Sequence, residues 1–265
     1  ERLQSLGARL DEPMADRSCL PFEWLCETAS QSIKVAVGGD GGDELFLGYS
    51  RYFPPPVSPA SLKRKHSSFV MEYIKHRLPV VSLETLARTM PGSMALIEKT
   101  VETMAKAVEC APKGKELSTM DFHSYLPGAV LAKVDRMSMR HGLEVRTPFL
   151  NPDIMALGRS APMEWLVREG AGKNPLRTLL QRYLPPDLIA GRKQGFGTPA
   201  MVFQSEKIGI FSRFKTGMMS MARSGWLSET PVGNKELFDN AASNVNGIWA
   251  VLILHQWMAK RGLTP

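Results

Sequence analysis

The sequence predicts a truncated α/β protein: the edge of a parallel, nucleotide-binding sheet joined to a remainder that is predominantly α-helical with little strand. Three observations carry this expectation. Residues 33 to 37 (IKVAV) are short, β-branched and followed by glycine, as a buried strand would be. A segment with helical spacing, residues 22 to 31, precedes them, and a glycine-rich loop that opens a helix follows them. That order is the one found at the edge of a parallel sheet. No other convincing strand pattern occurs, so most of such a sheet is expected to be absent or upstream.

In chain order, FEWLCETASQ reads as a helix and IKVAV as the strand. DELFLGYSRYF reads as a helix start with Asp43 and Glu44 in its first turn, where the dipole favours carboxylates. Pro54-Pro55-Pro56 breaks the pattern. It divides residues 1–53, the end of the sheet region, from residues 54–265, a helical part. There EYIKHRL, SLETLARTM and MALIEKTVETMAKAVEC all read as helices. Residues 126 to 145 read as one amphipathic helix opened by Pro127, with Leu131, Val134 and Met137 on one face. The tail NGIWAVLILHQWMAKRG reads as a final, mostly buried helix ended by Gly262 after Lys260 and Arg261.

With 265 residues, 43% hydrophobic and 22% charged, the composition is that of a soluble globular protein of one large or two modest domains. Cys19, Cys26 and Cys110 are few, odd in number and not in a ligand spacing. They argue against a disulfide framework and a zinc site, and for a reducing, cytoplasmic location. The apolar run Ile248 to Leu254 is too short to span a bilayer, and no secretory signal is visible, so no membrane partner is expected. The chain begins at Glu1 rather than methionine, which suggests a fragment. A net charge of +7 permits a polyanionic partner. The run Lys63-Arg64-Lys65-His66 has aromatic neighbours only at Phe69 and Tyr73, and reads as a solvated face rather than a nucleic-acid site.

Four clusters could carry chemistry. In VAVGGDGGDELFLGYSRY, glycines after a strand let backbone approach a phosphate, but a loop that binds phosphate alone normally adds a lysine. This one offers Asp40, Asp43 and Glu44, so a phosphate here would need a metal ion in between. A tight structural turn stays open as the alternative, although four glycines exceed its needs. Asp11, Glu12 and Asp16 sit around a proline turn in DEPMAD and, taken alone, read more readily as a surface turn than as a site. Asp135, Arg136, Glu144 and Arg146 lie in KVDRMSM and GLEVRTPFL, where a structural ion network explains them as well as catalysis does. Lys173 and Arg177 lie one helical turn apart, and Arg192, Lys193, Gly195 and Gly197 form a basic loop. These could neutralise a departing phosphate or pyrophosphate, or decorate a surface.

Taken in order, DEP-x-AD, GGDGGDELFLGY, KVDRMSM-x4-LEVRTPFL, K-x3-R and RKQGFGTP closely resemble the asparagine synthetase family, specifically its C-terminal synthetase domain. The resemblance runs from about Asp11 to the Trp249–Trp257 tail. It implies a fold of the pyrophosphatase-loop (adenine nucleotide α-hydrolase-like) type, with ATP and Mg2+ as cofactors. The implied reaction activates a carboxylate, usually aspartate, as an acyl-adenylate with release of pyrophosphate. Ammonia, drawn from glutamine by a separate N-terminal domain, then forms the amide and AMP leaves.

By position, Asp43 resembles the family's magnesium ligand, and Asp40 the acidic residue facing the adenylate and incoming amine. Gly38 and Gly39 would lie against the nucleotide. Lys193 resembles the lysine that stabilises departing pyrophosphate, Glu144 matches a residue that helps activate the amine in the related β-lactam-forming branch, and Lys173 and Arg177 fall near the phosphates. Gly38 replaces a frequent serine, and Asn151 a usual aspartate. The family's Ser-Gly-Gly-x-Asp-Ser string is not among these residues and is expected upstream, which would leave this piece inactive by itself. An enzyme amidating another carboxylate, such as a uronic acid in polysaccharide synthesis, is the alternative. A β-lactam-forming member and a non-catalytic scaffold are further rivals, and a homodimer is left open.

Overall fold

The computed structural model describes residues 2–53, 66–77, 83, 87, 90, 92–189, 210–226 and 245–263. In chain order the elements are α1 (Arg2–Arg9), α2 (Cys19–Ser30), β1 (Val35–Val37), α3 (Gly42–Leu45), α4 (His66–Arg77), α5 (Ser93–Glu109) and α6 (Glu116–His123). A π-helical turn (Leu126–Leu131) leads into α7 (Ala132–Met139), then β2 (Glu144–Arg146), α8 (Pro152–Ser160), α9 (Met163–Leu166), α10 (Asn174–Leu180), α11 (Pro186–Ile189), α12 (Ile210–Arg223) and α13 (Val245–Lys260). The described chain is therefore mostly helical with little strand. It forms two compact units, one of Glu1–Thr28, Tyr73–Thr100 and Phe196–Pro265, the other of Ala29–Glu72 and Val101–Gly195. Pro54-Pro55-Pro56, the expected boundary, lies outside the described residues, as does most of SLETLARTM.

The first unit is built on α13. Ile248, Trp249, Leu252, Ile253 and Met258 are all buried, as expected of a helix apolar around most of its circumference. Gly262, at φ 66°, follows its end. Helix α1 packs against it at Gly7, where a Cβ would collide with the Ile253 carbonyl and with Gln256 Cβ. The close approach is fastened by Gln256, which accepts from Gly7 N–H at 2.8 Å and donates to the Leu3 carbonyl at 3.0 Å. The acidic turn DEPMAD joins the same framework. Trp257 Nε1 donates to the Asp11 carbonyl (2.9 Å), and Asp16 Oδ1 accepts from Ser18 N–H (2.8 Å) at the start of α2. Helix α12 contributes Ile210, Phe214, Met218 and Met221 to the buried set.

In the second unit β1 and β2 pair in parallel, Val35 with Glu144, Ala36 with Val145 and Val37 with Arg146. This revises two expectations. The segment 126–145 is not one helix: α7 ends at Met139, Gly142 turns the chain at φ 63°, and Glu144–Arg146 extend as the second strand. Three residues are too few for a period-2 pattern to stand out, and their ladder partner lies far away in sequence. Nor is the IKVAV strand buried: Val35 is 42% and Val37 74% exposed, on the face they share with Glu144 and Arg146. The helix expected from Asp43 through Phe53 is likewise short. Leu47 takes φ 58°, Gly48 N–H returns to the Asp43 carbonyl (2.8 Å), and Lys173 N–H takes the Phe46 carbonyl (2.7 Å). The core beneath holds Leu45, Phe46, Leu47, Tyr52, Ala161 and Leu166, all buried.

Candidate active site

The glycine loop begins where β1 stops, at the carboxyl end of the strand pair, the edge at which open parallel sheets bind ligands. Gly38 N–H donates to the Arg146 carbonyl at 2.8 Å, which adds one more rung to the ladder before the chain turns. Asp40 then folds its carboxylate back over Gly38: a Cβ there would meet Asp40 Oδ2 at 2.8 Å and Val145 Cγ1 at 3.2 Å. Above Gly39 nothing lies within 4 Å, so its backbone is accessible. Gly41, at φ 87°, and Gly42 rest on Leu150 and Phe149, and a Cβ on Gly42 would lie 3.1 Å from the Phe149 ring. The PFL string is thus the floor of the loop, which is the physical link between two motifs about a hundred residues apart.

Burial raises the pKa of Asp40, with Asp43 adding to the rise and the Lys133 ammonium opposing it. Asp43, in the first turn of α3, pairs with Lys173 at 3.0 Å. Lys173 sits at φ 62° as the cap of α10, and Arg177 follows one turn later, donating to the Ile189 carbonyl at 3.4 Å. Glu144 opens β2 opposite Val35, toward the other end of the strand pair, and its carboxylate pairs with exposed Arg146 at 2.8 Å. Lys193, Arg192, Gly195 and Gly197 lie outside the described residues. The structure therefore gathers Gly38, Gly39, Asp40, Asp43 and Lys173, and leaves Glu144 and Arg177 at its margin.

Among the described residues no three His, Cys, Asp or Glu side chains converge on a metal position. A full protein cage is thus not on offer there, but Mg2+ does not need one. It binds through one or two carboxylates plus substrate phosphates and keeps several waters. Asp43, with Asp40 beside it, is a donor set of that kind.

The sequence model described as asparagine synthase matches residues 2–259. The chain belongs to the asparagine synthase family. A Mycobacterium tuberculosis protein named "Putative asparagine synthetase (glutamine-hydrolyzing)" is 23% identical over 282 residues, covering 94% of this chain and 43% of that protein. The glutamine-hydrolysing asparagine synthetase 1 of Bacillus subtilis is 27% identical over 220 residues, covering 71% of this chain and 34% of its own length. The chain spans less than half the length of these relatives.

Within this family member, the structure adds residues that the sequence did not single out. Lys133, one place before the Val-Asp-Arg of α7, is the cation that acts on Asp40. Its position inside the KVDRMSM string was the available signal. Behind α3, buried Asp121 accepts from Arg51 Nε (2.9 Å) and Nη2 (2.7 Å) and from the Tyr52 hydroxyl (2.8 Å). The Arg51 guanidinium lies 3.9 Å from the Tyr49 ring centroid and 4.8 Å from that of Tyr125. Tyr49 hydrogen-bonds Glu44, whose carboxyl is raised in pKa chiefly by burial. Nothing in the local sequence around Asp121 marks it, because its partners are some 70 residues away.

Proposed function

We propose that this chain forms part of the synthetase site of an ATP-dependent, amide-forming ligase. A carboxylate, aspartate by preference, is activated as an acyl-adenylate with release of pyrophosphate, and ammonia derived from glutamine then yields the amide and AMP. The observation that carries this reading is the pair Asp40 and Asp43 on an open glycine loop at the carboxyl end of a parallel strand, with Lys173 against Asp43. Gly39, where a Cβ would meet nothing within 4 Å, lets the nucleotide approach the backbone, and Gly38 would lie beside it. Asp43 would hold Mg2+, which neutralises phosphate charge. Asp40, whose pKa burial raises, faces the adenylate and can take a proton from the attacking amine. Lys193 would stabilise the leaving pyrophosphate, with Lys173 and Arg177 close to the phosphates, and Glu144 would assist the amine.

The fold that accompanies this reading is the pyrophosphatase-loop α/β type, with residues 1–53 ending the sheet region and 54–265 forming a helical part that returns one strand, β2, to that sheet. The exposed valines of β1 support it, since parallel sheets are normally covered on both faces. Further strands and helices, from the same polypeptide or another, would complete the sheet. We place the enzyme in the cytoplasm on the reading of Cys19, Cys26 and Cys110 as free thiols. Among the described residues no helix is long and apolar enough to cross a membrane.

The test is release of pyrophosphate and AMP by the full-length protein given ATP, Mg2+, ammonia and a panel of carboxylic acids. Turnover with aspartate is the expected result. Turnover with another acid alone would reassign the substrate and keep the mechanism, whereas no release with any acid would remove the ligase reading.

A further inference from the structure

Lys173 is held over Asp43 more firmly than a surface lysine would be. Its N–H donates to the Phe46 carbonyl at 2.7 Å, and its backbone is left-handed at φ 62°. Gly172 is pressed so closely on the Leu47 carbonyl that no Cβ could be placed there. Leu47 is itself left-handed, at φ 58°. The salt bridge crosses directly above Gly48, where a Cβ would overlap both Asp43 Oδ1 and Lys173 Cε. Two left-handed residues and two glycines thus serve to deliver one ammonium to one carboxylate oxygen, 3.0 Å away. The side chains of Lys173 and Asp43 are 28% and 20% exposed, so the pair is largely shielded from water.

We propose that Lys173 competes with the divalent metal for the Asp43 carboxylate, so that metal entry and release of the lysine side chain are one coupled event. This rests on the reading of Asp43 as a metal ligand. A magnesium–oxygen bond is about 2.1 Å long, and an ammonium and a divalent ion on the same oxygen repel each other at short range. The backbone of Lys173 is pinned, but its four-carbon stem is flexible. The displaced ammonium can therefore swing to a phosphate oxygen without any movement of α10. Phosphate gives the lysine a new partner, and this makes metal and phosphate binding mutually reinforcing, as linkage requires. A metal ion arriving without phosphate must instead leave that ammonium unpaired.

Titration of the full-length protein with Mn2+ in the absence of nucleotide, followed by electron paramagnetic resonance of the free ion, tests this. Lys173→Met should bind Mn2+ about five- to tenfold more tightly than the wild type, and Asp43→Asn should lose that binding. Lys173→Arg keeps the charge and should stay close to wild type. Unchanged or weaker binding by Lys173→Met, with Asp43→Asn still impaired, overturns the competition and leaves the metal site standing. A gain in Lys173→Arg equal to that of Lys173→Met also overturns it, since a loosened turn rather than a removed charge would then be the cause. Binding indifferent to Asp43→Asn overturns the metal reading and the competition together.

Discussion

Asp40 owes its position to what Gly38 lacks. The space that a side chain would fill is taken by the Asp40 carboxylate, 2.8 Å from where a Cβ would stand. The serine usual in the family at this place would have to share that space, so glycine here is a change in geometry as well as a lost hydroxyl. The other departure, Asn151, turns out to be harmless for the helix it precedes. Its Oδ1 accepts from Asp153 N–H at 2.9 Å, and asparagine caps a helix about as well as aspartate does. Lys115 shows how far one side chain can act. Its buried ammonium donates to the carbonyls of Gly158 (3.0 Å), Arg159 (2.9 Å) and Ala161, closing the end of α8. Burial lowers its pKa, while three carbonyl acceptors and the negative end of the helix favour the charged form. Lys115→Met keeps the stem and strands those carbonyls, and should cost about 2–3 kcal/mol in denaturant unfolding. A loss below about 0.5 kcal/mol would mean that water replaces the ammonium freely.

At the scale of elements, the glycine loop is held by packing as well as by its backbone hydrogen bonds, among them Gly42 N–H to the Gly39 carbonyl at 3.2 Å. Gly41 and Gly42 lie on Leu150 and Phe149, which the short turn before α8 brings up from below. The sequence shows two separate strings in PFL and GGDGGD without showing that one is the floor of the other. The crossing of α12 and α13 in the other unit has a similar logic. Gly217 admits the His255 ring, whose Cγ would lie 3.1 Å from a Cβ at that position. Burial there holds the imidazole below its ordinary 6.5. The unfolded chain therefore takes up a proton first as pH falls. The stability contributed by a neutral His255 is complete above 6.5 and is lost as pH drops through the folded value. His255→Gln should accordingly flatten the unfolding temperature between about pH 7 and pH 5. An unchanged slope over that range would place the titrating group elsewhere.

For the molecule as a whole, the strand pair is the feature that asks for more protein. Val37 is 74% exposed on a parallel ladder, a type of sheet normally covered on both faces. If other strands or helices cover it in the full-length protein, Val37→Lys should destabilise that protein by about 2 kcal/mol or more. A change within about 0.5 kcal/mol would show that the face stays in water. The helical character of most described residues, the buried final helix and the strand–glycine loop with its two aspartates were legible in the sequence. All of these rest on local patterns: periodicity, glycine placement and charge at a helix start. Tertiary structure decided that α7 stops at Met139, that Glu144–Arg146 pair with a strand 109 residues earlier, and that Lys173 lands on Asp43. Those outcomes depend on partners far apart in the chain, and a local pattern carries no record of which distant backbone will complete a hydrogen bond or neutralise a charge.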